Sequence, residues 1–330
     1  MSEPFAASAS SPPTFSPSGR QFLLSEAGQE LVVVEVGGGI RTYRSDGVDV
    51  LDGYEASVMC TGGRGELLVP WPNRVGDGRW EWEGVTYQLP INEPEHGNAI
   101  HGLARWLPWT AEEEGNPNGG GSSRLRMRCR LHPQPGWPWQ LELAVAYELG
   151  ASGLTVTTSV TNAGGPGPCP IGIGWHPYVA AFGGLVDDLV LHVPAATSYL
   201  TDERGLPVSK EPVDGTDDDF RTPSRVGRAK LDVAFTDLDR DSSGRAAVEV
   251  RSVGGEQVGA AGTRIWMDSQ FTHLMVYTGD TLPEEGRRRR GIAIEPMSCA
   301  PDMLRSQDGM LVLPEGSTFE AAWGVETFKI

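Results

Sequence analysis

His176, Glu295 and His101 each combine a chemically useful side chain with a setting that would hold it still. His176 closes the small, apolar run Cys169-Pro170-Ile171-Gly172-Ile173-Gly174-Trp175 and precedes Pro177-Tyr178. A proline ring disfavours the helical basin for the residue before it, so His176 reads as held extended at the end of a buried strand. Glu295 lies inside Gly291-Ile292-Ala293-Ile294-Glu295-Pro296-Met297. Buried glutamate is rare unless it is paired or useful. His101 sits in Asn98-Ala99-Ile100-His101-Gly102, where the glycine lets a ligand or another backbone approach closely. Two supports accompany them. Asp232 stands between apolar residues in Leu231-Asp232-Val233-Ala234-Phe235, and Arg74 is presented with Asn73 by the double-proline loop Pro70-Trp71-Pro72.

One imidazole and one carboxylate suit general acid–base work. Desolvation in an apolar strand raises a glutamate toward neutrality, where it can take a proton and return it. An imidazole gives and recovers a proton in the same pH range. Taken alone, His176 reads equally well as a satisfied core histidine. A dispersed two-His, one-Glu zinc site stays open, although close His pairs and HExxH spacing are absent. No Gly-rich phosphate loop opens a helix and there is no GxSxG elbow. Trp71, Trp80, Trp82, Trp106, Trp109 and Trp175 flank these stretches, as sugar-stacking faces or as core.

The elements that must position these groups read as antiparallel strands. Leu125, Met127, Cys129 and Leu131 alternate with Arg124, Arg126, Arg128 and Arg130, and Gln140–Leu149 and Leu154–Val160 repeat the period of two. The arginine face reads as solvated, with a phosphate-binding stripe as the lesser alternative. With 43 glycines and 25 prolines and no long helical periodicity, many short strands are expected. Glu112–Ser123 reads as a mobile hairpin tip, Thr201–Arg228 as a long polar surface loop, and the run Arg287–Arg290 as a solvated loop.

Over 330 residues, 44 acidic side chains outnumber 27 basic ones, for a net charge of −17. This argues against nucleic acid or an anionic membrane as partner. Cys60, Cys129, Cys169 and Cys299 are scattered, as expected for free thiols in a reducing cytosol. Met1–Arg20 is rich in Ser, Pro and Ala and has neither a basic n-region nor an apolar h-region. It reads as a disordered tail rather than a signal peptide, ahead of one domain over 21–330. No apolar run approaches the ~18 residues of a spanning helix, so a soluble cytoplasmic protein is expected.

The order Pro-Trp-Pro-Asn73-Arg74, then Ile100-His101-Gly102, then Gly-Trp-His176-Pro-Tyr, then Ile-Glu295-Pro resembles the aldose 1-epimerases (galactose mutarotases). The resemblance runs from about Gln21 to Val325. It implies an all-β fold, a large twisted antiparallel β-sandwich with the sugar in an open cleft, and an isomerase that needs no cofactor or metal. It further implies that Glu295 takes the proton of the anomeric hydroxyl and that His176 protonates the ring oxygen. His101, Asp232 and Arg74, with Asn73 beside it, would bind a small-molecule sugar. The family commonly carries Gln in the strand before Tyr-Thr-Gly, where Met275 stands here, which puts galactose preference in doubt. His96 reads as a loop residue. The other readings are a hexose-6-phosphate 1-epimerase, which needs basic residues converging on the phosphate, and a carbohydrate-binding protein without turnover.

Overall fold

Residues 16–112, 123–252 and 261–329 are described by a computed structural model. Period-two alternation governs its longest strands. Arg124–Leu131 buries Leu125, Met127, Cys129 and Leu131 and turns its arginines outward, and Gln140–Gly150 and Gly153–Gly164 do the same with their own apolar faces. Successive side chains of a strand point to opposite faces, so each strand offers one wall to the core.

Among the described residues the strands form a twelve-stranded sheet and a nine-stranded sheet. The first runs from Gln21–Glu26 at one edge to Pro207–Pro212 at the other, with Gly291–Met297, His273–Tyr277 and Asp232–Leu238 adjacent in its middle. The second holds the C-terminal strand Thr318–Lys329 between Gly153–Gly164 and Ala261–Met267. The ladders of both are antiparallel. Leu31, Ile292 and Ile294 of one sheet share a buried cluster with Leu141, Val156 and Trp323 of the other, so the two form a β-sandwich. A hydrogen bond from Trp175 Nε1 to Thr158 Oγ1 (2.9 Å) joins them inside the core and satisfies the indole that burial would otherwise strand.

Several expectations change. Within Thr201–Arg228, Pro207–Pro212 forms a hairpin with Ala195–Thr201, and Ser224–Arg225 pairs with Leu189–His192, so the segment is only partly loop. In the Arg287–Arg290 run two residues are anchors, while Arg288 and Arg290 stay exposed. Arg287 meets Asp52 at 2.7 Å, and Arg289 meets Asp187 at 2.8 Å and Asp280 at 2.9 Å. Arg124, Arg126, Arg128 and Arg130 each face a carboxylate, from Glu148, Glu112 or Glu142, which removes the phosphate-stripe reading. Ser16–Arg20, assigned to the tail, are ordered: Ser18 is buried and its carbonyl accepts from Val36 N. Residues 1–15 and most of the Glu112–Ser123 tip lie outside the described residues. Cys129, Cys169 and Cys299 are buried free thiols, and Cys60 is half-buried. No helix among the described residues is long and apolar enough to cross a membrane.

Candidate active site

Three strands of the first sheet place the carboxylates and the apolar floor. Glu295 pairs with Met275, and Met275 pairs with Ala234. Directly paired residues share a face, and so do residues two apart in one strand. Asp232 is two residues before Ala234, so the sheet presents Asp232, Met275 and Glu295 together. Met275 therefore occupies the cleft floor beside Glu295, where a glutamine would have offered a polar contact.

His176 comes from a break in the neighbouring strand. Gly174 pairs with Met297, and Tyr178 pairs with Ala293. The residues between them lie along Ile294–Pro296, and Ile294 N donates to Pro177 O at 3.0 Å. His176 N donates to Glu66 O (3.1 Å) and its carbonyl accepts from Gly65 N (2.9 Å), which fixes the backbone on its other side. His176 Nε2 then lies 3.3 Å from Glu295 Oε1, with both side chains buried. The Tyr178 ring stacks on the imidazole at 4.9 Å and 12°. Gly63, at φ +74°, is required there, because a Cβ would stand 2.7 Å from His176 Cδ2.

The third side is a two-stranded tip in which Arg74–Gly76 pairs with Asn98–Ile100. Asn73 and His101 both take left-handed backbone (φ 53° and 62°), uncommon outside glycine but tolerated best by residue types such as these. His101 N donates to Asn73 O at 2.9 Å, and Arg74 N donates to Asn73 Oδ1 at 2.8 Å. Asn73 thus shapes the loop that aims its neighbours. The His101 ring meets His176 edge-on at 5.3 Å. Arg74 is held in a fork by Glu93, through Nε at 3.0 Å and Nη2 at 3.0 Å, and reaches Asp232 at 4.0 Å.

Asn73, Arg74, His101, His176, Asp232 and Glu295 line one open cleft of about 270 Å³. That is near the small end of the ~300–1,000 Å³ usual for ligand sites and fits one sugar ring. Arg105, Tyr178, Met275, Tyr277 and the Thr281–Pro283 segment complete the wall. None of the six flanking tryptophans lines it. Trp71 and Trp80 instead pack in a cluster with Trp137 and Trp139, and Trp175 sits in the core. His96 is in an exposed turn, where its carbonyl accepts from Arg204 Nε at 2.8 Å.

Burial dominates the electrostatics. Glu295 is pushed well above the usual carboxylate range by desolvation and by the charge of Asp232, against the pull of Arg74. His176 is lowered to about 3 by desolvation, with further positive charge from Arg105 and Arg64. His101 is lowered well below its usual value by desolvation and by His176. Asp232 keeps about half its side chain open (53%), yet the cleft walls raise it, with Arg74 opposing. Burial thus favours the neutral form of each member of the Glu295–His176 pair. Glu295 Oε2, His176 Nδ1 and His101 Nδ1 are buried without a hydrogen-bond partner. Such groups are costly unless a ligand completes them. Among the described residues no cluster of three or more His, Cys, Asp or Glu could hold a metal ion.

Glu93, which holds Arg74, was not legible as a site residue, because its register against Arg74 depends on the tip hairpin. Tyr178 stood in the His-Pro-Tyr motif, but only its stacking shows what it does.

A family model described as aldose 1-epimerase matches residues 20–324. The chain is 29% identical over 302 residues to the uncharacterized protein YihR of Escherichia coli K12, covering 91% of this chain and 90% of that protein. The GalM/aldose epimerase homologue of C. elegans superposes with a TM-score of 0.80 at 14% identity, covering 94% of this chain and 99% of that one. A galactose 1-epimerase from Lactobacillus acidophilus NCFM gives 0.73 at 20% identity, covering 92% of each chain. At such identities these two likenesses are of fold. With the family model spanning nearly the whole chain, the protein belongs to the aldose 1-epimerase family of isomerases.

Proposed function

We propose that the protein interconverts the α and β anomers of a free aldohexose, with Glu295 as base and His176 as acid. The observation that carries this reading is the buried pair at 3.3 Å, with Glu295 Oε2 left without a partner at the cleft. In the working form the proton sits on His176. Glu295 takes the proton of the C1 hydroxyl as the C1–O5 bond breaks and C1=O forms, and His176 gives its proton to O5. Rotation about C1–C2 exposes the other face of the aldehyde. On closure O5 attacks C1, O5–H returns its proton to His176, and Glu295 protonates the new C1 oxygen. The pair ends as it began. His101, Arg74 and Asp232 hold sugar hydroxyls, and Asn73 sets the loop that carries Arg74.

The test is polarimetry on freshly dissolved α-D-glucose and α-D-galactose with the wild type and Glu295→Gln. The wild type is expected to speed relaxation to an unchanged final rotation. The amide keeps the shape and cannot take a proton, so the variant should lose roughly 10²–10⁴-fold in rate while still binding sugar. Full activity in Glu295→Gln would show that the base lies elsewhere. A hexose-6-phosphate 1-epimerase is the second reading, favoured by Arg105, which lines the cleft with its buried Nε unpartnered. Inorganic phosphate would then compete with substrate, and glucose 6-phosphate would turn over faster than glucose. A binding-only role has less support, because holding a sugar does not call for a buried acid and base in contact.

A further inference from the structure

Asp52 lies outside the cleft and carries an arginine on each carboxylate oxygen. Arg64 Nε meets Oδ2 at 3.2 Å and Arg287 Nη2 meets Oδ1 at 2.7 Å. Arg64 is buried, and its Nη1 donates to Thr61 O at 3.1 Å and Thr61 Oγ1 at 3.2 Å. Its guanidinium carbon stands 5.0 Å from the Tyr178 ring centroid, within cation–π range. Tyr178 is held at its other end, where its hydroxyl donates to Gly62 O at 2.8 Å. The same ring also carries His176, stacked nearly parallel.

We propose that Arg64 is a positioning residue for this reaction: clamped by Asp52, it fixes the Tyr178 ring and through it the plane of the His176 imidazole against Glu295. The proposal rests on the reading of His176 as the proton donor. An imidazole has one soft torsion once its backbone is fixed, and a stacked ring removes that freedom. Alignment matters because a misplacement of ~1 Å can cost about 10²-fold in rate. The charges facing His176 are Glu295, Arg105 and Arg64, with His101 and Tyr178 the titratable rings in contact. Arg105 is already engaged by Glu66 at 3.1 Å. Arg64 is the cation that acts on the stack itself. Arg287 extends the chain of contacts to the segment bearing Leu282, whose carbonyl accepts from Arg288 Nε at 2.8 Å and whose side chain lines the cleft.

The experiment uses the full chain and the variants Arg64→Met, Arg64→Lys and Asp52→Asn. Histidine ring 1H–15N NMR of the ligand-free proteins reads the stack directly, and polarimetry reads turnover. Arg64→Met should move or broaden the His176 ring signals and leave those of His273 in place. It should also lower kcat roughly 10–10²-fold with KM within about twofold. Arg64→Lys should restore part of both. A merely structural role would lower the melting temperature and leave the His176 signals and kcat unchanged in the folded variant, and that result overturns the proposal. Should Arg64→Met fail to fold, Asp52→Asn and Tyr178→Leu give the same readouts from the two ends of the chain of contacts. If the wild type does not accelerate mutarotation, the proposed function fails, and the ring signals still decide whether Arg64 orients His176.

Discussion

Glu295 sets a conflict between stability and activity that one substitution can expose. Its folded value lies above the 4.5 of an ordinary glutamate. Between those two values the native state binds more protons than the unfolded chain. Stability contributed by the protonated acid is therefore full below 4.5 and is lost as pH rises through the folded value. Glutamine has no such titration. Glu295→Gln should therefore melt higher than the wild type, by a margin that widens as pH rises from 4.5 toward the folded value, while turnover is lost. Thermal melts across that range check it, and an unchanged margin would mean that Glu295 is not strained by burial. His176 contributes with the opposite sign. Lowered to about 3, it binds fewer protons natively than unfolded between about 3 and 6.5, so its share of stability falls as pH drops through that window. At this scale the sequence was informative. A histidine and a glutamate each before a proline in an apolar run stood out as the candidate acid–base pair, because local backbone chemistry dictates both settings. The contact between them was not legible, since it depends on a ladder joining residues 176 and 295. The tryptophans stayed ambiguous for a related reason: aromatic type reports buried area equally well in a core and in a sugar cleft.

The turn Asp202–Leu206 shows how an element outside the cleft governs a residue inside it. Arg204 Nη2 donates to Asp77 Oδ1 at 2.8 Å and Asn98 Oδ1 at 3.2 Å, which binds this turn to the tip that carries Arg74. Gly205, at φ +72°, lies so near that a Cβ would stand 2.5 Å from Arg74 Nη1. Gly205→Ala is therefore expected to cost more than about 1 kcal/mol, because alanine is strained at positive φ. It should also shift Arg74 within the cleft, raising KM several-fold more than it changes kcat if Arg74 holds the sugar as proposed. Denaturant melts and sugar titrations measure the two effects, and a variant with unaltered KM would remove Arg74 from the binding surface. From sequence this region looked like loop, because its polar, Asp-rich composition hides the alternation of an edge hairpin. The edge strand Pro207–Pro212 buries none of its residues, so neither face is apolar and the period of two fades.

Across the whole molecule the site draws on residues from 73 to 295, and no subset of neighbouring strands contains it. The sheet order places Tyr178–Ala180 between Val48–Leu51 and Gly291–Met297, partners more than a hundred residues away along the chain. Hairpins and strand type were legible because they are local. These pairings were not, and the family resemblance implied the sandwich without them. Topologies built from distant contacts fold slowly. Here His176 and Glu295 meet only when the middle of the large sheet is complete. The strand Thr318–Lys329 is decisive for the other sheet, since it bonds to Gly153–Gly164 on one side and Ala261–Met267 on the other. Ending the chain after Ser317 would remove a central strand together with Trp323 from the core. That truncation should show no cooperative melt by circular dichroism, whereas loss of an edge strand would be milder.

The 3.3 Å contact between Glu295 and His176 has a consequence for the medium in which the enzyme works. In the proposed mechanism, opening the ring would move one proton onto the carboxyl and one off the imidazole, and closing it would reverse both. Nothing is exchanged with bulk water over a cycle, so the catalyst is self-contained with respect to buffer. Spontaneous mutarotation relies on acids and bases in solution and quickens as they are added. The enzymatic component should stay flat as buffer concentration is raised at constant pH and ionic strength. A protein built this way would perform alike in dilute and in crowded surroundings, needing only the sugar.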